Sequence, residues 1–137
     1  MRRKDREVTG IENIKEIIDK CLICRIGTVD DDGPYVVPMN FGYEFCEDVL
    51  ILFFHTATEG RLLNAIKNNK EVFFEMDCEQ GVIEGFIPCA YSMAYESVMG
   101  KGEVFISKTE ENKITDLDHL MKRFMKGSSF NYEKEML

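Results

Sequence analysis

The hydrophobic positions change period along the chain, and each change marks an element. Ile11, Ile14, Ile17 and Ile18 recur at helical spacing, and Thr9-Gly10-Ile11-Glu12 has the form of a capping box with Thr9 as N-cap. The spacing predicts a helix over 11–19. Cys21 to Val29 is an apolar, β-branched run that ends in the turn sequence Asp30-Asp31-Asp32-Gly33-Pro34. Tyr35, Val37, Met39, Phe41 and Tyr43 then alternate on one face. Two strands around a Gly-containing loop predict a hairpin. Val49 to His55 is apolar on both faces, which predicts a central or barrel-wall strand.

Helical spacing returns over Thr56 to Asn69, with Leu62, Leu63 and Ile66 as its stripe. Thr56-Ala57-Thr58-Glu59 reads as a second capping box and Asn68-Asn69 as a stop. Val72 to Met76 predicts a fourth strand. Tyr91 to Val98 and Gly102 to Ile106 read as long strand material, with a bulge or bend at Gly100 and Gly102. Ser107-Lys108-Thr109-Glu110 is a third capping box. It opens a helix running to about Lys126, with Ile114, Leu117, Leu120, Met121 and Phe124 inward and Gly127 as C-terminal stop. Crossovers are too few, and hairpins too many, for a doubly wound parallel sheet. The fold class expected is mainly β with peripheral helices, an antiparallel barrel.

Composition acts mainly by exclusion. The 137 residues fit one domain, and 45% hydrophobic with 31% charged residues is the balance of a soluble globular protein. With 17 basic against 25 acidic residues the net charge is -8, so no nucleic-acid partner is expected. The one basic cluster, Arg2, Arg3, Lys4 and Arg6, reads as a solvated tail. No apolar run nears the ~20 residues that span a bilayer, and no signal-peptide stretch opens the chain. A cytoplasmic protein without a membrane partner is the expectation. Five cysteines, an odd number, agree with a reducing compartment that leaves them as buried thiols. Cys21 and Cys24 have C-x-x-C spacing, but no second pair follows, and on a strand they face opposite sides. No metal site is expected there, nor at His55 and His119, which are far apart. Glu110, Glu111, Asp116 and Asp118 read as a solvated helix face.

Three stretches could carry chemistry. In Phe54-His55-Thr56-Ala57-Thr58-Glu59-Gly60-Arg61 a strand runs into a helix start, where unpaired N–H groups and the dipole favour an anion. His55, the Thr56 and Thr58 hydroxyls and Arg61 add donors there. Arg61 sits against the dipole in the first turn, and a phosphate would compensate it. A plain strand–helix turn is the alternative. In Tyr35 to Tyr43, Pro38 removes a ladder donor, so the strand should be an edge or irregular there. An open backbone edge beside apolar side chains suits a flat heterocycle with a polar rim. An edge guarded by Pro38 against aggregation is the plainer reading. In Cys89 to Gly102, Tyr91, Met93, Tyr95, Ser97 and Met99 share one strand face, the composition of a subunit interface or ligand wall, or of a barrel interior.

Taken in order, these stretches resemble the pyridoxamine 5'-phosphate oxidase-like FMN-binding split-barrel family, and within it the nitroimidazole-resistance (Nim-type) branch. The matching segments are Gly27-Thr28-Val29, Tyr35 to Tyr43, Phe54 to Arg61, Lys67 to Phe74 and Tyr95 to Val104, and the likeness covers roughly residues 1–126. The resemblance implies one domain over 1–137, a six-stranded antiparallel split β-barrel. It implies a homodimer with FMN in two clefts between subunits. Val37, Pro38, Met39 and Asn40 would lie along the isoalloxazine. His55, Thr56, Ala57 and Arg61 would hold the ribityl phosphate. Ser97 and Val98 would wall the cleft from the partner subunit. Relatives continue into a further strand after the last helix, whereas Gly127 to Met136 shows no alternating apolar run, so the barrel is expected to lack that strand.

The function implied is an FMN-dependent, nitroreductase-like oxidoreductase acting on small nitroaromatic, nitroimidazole or related heterocyclic compounds. Tyr35, His55 and Tyr95 are the nearest candidates for proton delivery. The alternatives are a non-catalytic flavin-binding or stress-related module, a haem-binding split barrel with His55 as axial ligand, and a deazaflavin in place of FMN.

Overall fold

A computed structural model of the chain describes residues 1–125 and 131–133. The expected stop at Gly127 and the pattern of 127–136 therefore fall largely outside the described residues. In chain order the elements are α1 (Ile11–Lys20), β1 (Cys24–Asp30), β2 (Gly33–Met39), β3 (Gly42–Cys46), β4 (Val49–Phe53), α2 (Arg61–Asn68), β5 (Glu71–Ile83), β6 (Ser92–Glu103) and α3 (Glu110–Phe124). One-turn helices sit at Lys4–Arg6 and Pro88–Ala90.

The six described strands are all paired antiparallel, in two sheets. The larger has the order β2-β1-β5-β6, and β3 pairs with β4 in the smaller. Hydrogen bonding among these strands does not join the sheets into a closed barrel. β2 is an edge strand, as Pro38 requires, and it pairs with β1 from Cys24 opposite Met39 to Asp30 opposite Gly33. The expected single strand from Tyr35 to Tyr43 breaks at Asn40 and Phe41, where the chain leaves one sheet for the other. Phe41 is buried at the break. β4 is not a central strand. α3 meets it at its end, where the Phe53 and His119 rings stack 4.4 Å apart, while Val49 and Ile51 on the same face are exposed.

Four further expectations are corrected. The helices α1 and α2 are capped by Gly10 and Gly60, at φ +88° and +139°, and no side chain caps either, so the boxes at Thr9 and Thr56 do not form. Asn13 instead donates to the Thr9 carbonyl at 2.8 Å. In the third box the cap is Thr109, which accepts from the Asn112 N–H at 3.3 Å. The register shift falls at Glu79 and Gly81 in β5, where Gly81 has φ +111°, and β6 runs unbroken past Gly100. Gly100 makes room for the Phe74 ring, which would stand 2.8 Å from an added Cβ.

The core lies between the sheets, α1 and α2. Ile18, Phe41, Met76, Cys21 and Cys24 are fully buried at its centre. Burying a side chain such as Ile18 or Met76 contributes about 1.5–3 kcal/mol. Cys21 and Cys24 are buried thiols as expected, but Cys46 and Cys89 are exposed. On α3, Leu120 is buried and Phe124 is exposed rather than inward. Nor are all its acids solvated: Asp116 accepts from the Ser107 hydroxyl and Asp118 from Tyr132 at 2.9 Å. Gly42 admits α3 to β3, since an added Cβ would lie 2.5 Å from the His119 carbonyl. From the end of α3, Arg123 donates to the carbonyls of Ile18 at 3.2 Å and Cys21 at 2.5 Å, with its guanidinium 4.2 Å over the Phe41 ring.

Candidate functional site

A cleft of about 460 Å³ opens between the edge strand β2 and the start of α2. Its size falls within the roughly 300–1,000 Å³ usual for small-molecule sites. Tyr35, Val37, Pro38, Met39 and Asn40 form one wall. His55, Thr56, Glu59, Gly60 and Arg61 form the other, with Leu63 and Leu120 beneath. Two separate stretches thus meet because the chain leaves β2 at Asn40 for the second sheet, whose strand β4 leads into α2. Val37 and Met39 point inward and are half-buried, while Pro38 and Asn40 are exposed.

The α2 end of the cleft is polar and carries no side-chain cap. Its first N–H groups therefore remain available to an anion. Arg61, the first residue of α2, does not stand uncompensated against the helix dipole. Its Nε donates to Asp30 Oδ2 at 2.6 Å and its Nη2 to Asp30 Oδ1 at 2.8 Å. The guanidinium also lies 4.4 Å over the Tyr35 ring. The bidentate hydrogen bond to Arg61 holds the Asp30 carboxyl below its ordinary range. Asp30 was legible only as a turn residue. The signal that could have found it is the need for a counter-charge to an arginine at a helix start.

Of the other expected site residues, Ala57 faces an adjoining cavity rather than the cleft. That cavity, of about 960 Å³, has an apolar wall that includes Leu50, Leu52, Phe54 and Phe74, and His55 and Thr56 border both spaces. Ser97 and Val98 do not reach the cleft of their own chain. They lie on β6, opposite Asp77 and Met76. Tyr95, opposite Glu79 on the same strand, is exposed and likewise remote from it. Among the described residues no cluster of His, Cys, Asp or Glu is placed to hold a metal ion, and no helix is long and apolar enough to cross a membrane.

The arrangement offers an apolar wall, an open strand edge and an anion-binding end. Comparison with known proteins bears on the fold and the family. A protein from Bacteroides thetaiotaomicron, named for 5-nitroimidazole antibiotic resistance, superimposes with a TM-score of 0.77 at 32% identity, over 94% of this chain and 74% of that one. An FAD- and haem-binding protein from Mycobacterium smegmatis gives 0.76 at 22% identity, over 94% and 62%. A flavocytochrome from Azotobacter vinelandii gives 0.73 at 18%, over 93% and 59%. The chain spans less than two thirds of the length of these last two, and they show the fold alone. No curated protein matches the sequence. The sequence profile of the pyridoxamine 5'-phosphate oxidase family matches residues 11–136, and the chain belongs to that family.

Proposed function

We propose that the cleft binds FMN and that the protein is a nitroreductase-like oxidoreductase for small nitroaromatic, nitroimidazole or related heterocyclic compounds. One observation carries this reading: β2 and the start of α2 converge on a single cleft that is apolar along one wall and rich in donors at one end. The likeness to the 5-nitroimidazole resistance protein supports the substrate class.

The residues fit the group. Val37, Pro38, Met39 and Asn40 line the side suited to a flat ring. Because β2 pairs only with β1, half of its backbone groups face away from the sheet and can meet a polar rim. Thr56, Arg61 and the N–H groups opening α2 bind the phosphate, with His55 beside them. Ala57 would approach it only from the neighbouring cavity. FMN supplies the electron transfer; the chain binds it, orients it and keeps water off one face. Tyr35 and His55 are the hydroxyl and imidazole in the cleft that can hold a proton. Tyr95 could do so only from a second copy.

We further propose that the two sheets are halves of a split barrel in a homodimer, with Ser97 and Val98 of one copy walling the cleft of the other. Phe73, Phe86, Tyr91, Tyr95 and Met99 are all more than half exposed on the β5–β6 hairpin and its sheet. Exposed apolar side chains of this size support an interface there. A haem reading is favoured by one observation, the His55 imidazole at the rim of the larger apolar cavity.

The test is the visible spectrum of the purified protein, followed by addition of a reductant and a nitroimidazole. Flavin absorbance and substrate-dependent reoxidation are expected. A Soret band would decide for haem, and flavin without turnover would leave a binding module. Arg61→Ala should weaken FMN retention by about tenfold or more, since contacts between a guanidinium and a phosphate are among the stronger hydrogen bonds. Unchanged FMN affinity would refute the site.

A further inference from the structure

We infer that Asp30 is the positioning residue of the anion end of the cleft, setting the Arg61 guanidinium so that its free edge meets the phosphate; the inference rests on the FMN reading above. Asp30 closes β1 and is itself pinned: its Oδ1 accepts the Asp32 N–H at 3.0 Å across the turn into β2. The same oxygen accepts Arg61 Nη2, and Oδ2 accepts Nε. The Tyr35 ring beneath fixes the plane of the group. Three elements, β1, β2 and α2, therefore hold one side chain whose stem would otherwise sample many rotamers.

A guanidinium has five N–H donors in a rigid fork. Asp30 engages one edge, through Nε and Nη2, and leaves both Nη1 hydrogens and one on Nη2. These present a second bidentate edge, the geometry that recognises phosphate. The Asp30 carboxylate repels an incoming anion, so two opposite roles can be told apart. A blocking carboxylate would lower affinity for the phosphate, and its neutralisation would tighten binding. A positioning carboxylate raises affinity, because the guanidinium is ordered before the ligand arrives. The tight two-point pair, the aromatic stack and the turn hydrogen bond on the carboxylate itself all favour ordering. Asp30 is also the less exposed partner, with 20% of its side chain accessible against 40% for Arg61, as expected of the group that holds rather than the group that binds.

The experiment titrates the full chain with FMN and with riboflavin, which lacks the phosphate, in wild type, Asp30→Asn, Arg61→Ala and the double variant. Ordering one long side chain is worth about three- to tenfold in affinity. Asp30→Asn should weaken FMN by about that factor and leave riboflavin unchanged. In the Arg61→Ala background it should weaken FMN no further, because the residue it positions is gone and only the carboxylate's repulsion of the phosphate is left to relieve. Riboflavin affinity in each variant reports whether the cleft has kept its fold. Unchanged or tighter FMN binding in Asp30→Asn, with Arg61→Ala still weak, would overturn the positioning role and leave the FMN site intact. Equal loss of both flavins, or an additive double variant, would also overturn it. A wild-type chain that binds neither flavin would refute the FMN reading and this inference with it.

Discussion

Replacing Gly42 with alanine tests how α3 is seated. The glycine opens β3 where the helix backbone comes closest. An added Cβ would lie 2.5 Å from both the carbonyl carbon and oxygen of His119 and 2.6 Å from the Leu120 nitrogen. Ordinary van der Waals contact begins near 3.4 Å, so the helix must withdraw by about 0.9 Å. All three neighbours are backbone, and none can rotate out of the way. Overpacking of this kind typically costs about 1–3 kcal/mol. The rigid neighbours put Gly42→Ala at the upper end, near ~3 kcal/mol. A shift of α3 would also loosen the buried Leu120, the Phe53–His119 stack and the Arg123 hydrogen bonds. For a chain of this size a loss of ~3 kcal/mol lowers the melting temperature by roughly 10 °C. The control is Gly102→Ala, in β6, where nothing lies within 4 Å of the new methyl. There alanine should be neutral or stabilising by up to about 1 kcal/mol, because glycine loses more backbone freedom on folding. Thermal and urea unfolding followed by circular dichroism would measure both. A Gly42→Ala protein within about 0.5 kcal/mol of wild type, or a Gly102→Ala protein equally damaged, would refute the close-packing argument.

The thiols and one tyrosine give two further expectations. Burial pushes the Cys21 and Cys24 thiols up to about 12, so both stay protonated in the folded chain. Iodoacetamide at mildly alkaline pH should modify the exposed Cys46 and Cys89 first and reach Cys21 and Cys24 only after unfolding; intact-mass spectra showing fast labelling of either buried thiol would contradict their placement. Tyr43 is pushed up to about 12, first by burial and then by its 2.7 Å hydrogen bond to Asp19. Its folded value thus lies above the unfolded value near 10, so this contribution to stability is complete below pH 10 and drains away as the pH rises toward 12. Tyr43→Phe should remove one proton from the slope of stability against pH in that window, and an unchanged slope in pH-dependent urea melts would count against the burial of the hydroxyl.

The periodic segments were legible because each buries its stripe. Ile17 and Ile18 of α1, Leu63 and Ile66 of α2, and the inward series Tyr35, Val37 and Met39 of β2 face where their spacing put them. Helix starts were less legible. Thr9 and Thr56 have the composition of caps, yet α1 and α2 are both entered through a glycine at positive φ, without a side-chain cap. Sheet membership was also hidden: Val49 to Phe53 looked central because it is apolar on both faces, yet Val49 and Ile51 on the second face are exposed and only Phe53 meets α3. At the site, Pro38 announced an edge strand and the run from His55 to Arg61 announced a helix start, and the two do meet in one cleft. The ion pair between Asp30 and Arg61 depended on a contact between residues 31 apart. No local pattern encodes such a contact.

The hold of Arg123 on α1 has a consequence for how the chain is made. The carbonyls it satisfies belong to Ile18 and Cys21, and they lie 105 and 102 residues earlier in the sequence. Synthesis proceeds from the amino end at about 5–20 residues per second. Until residue 123 has been made, then, the first helix exists without the side chain that closes its C-terminal end, and the buried face of Phe41 exists without its lid. The contact between α1 and α3 can close only when the chain as far as Arg123 has emerged. Arg123 is thus a latch that couples the arrival of α3 to the closing of α1.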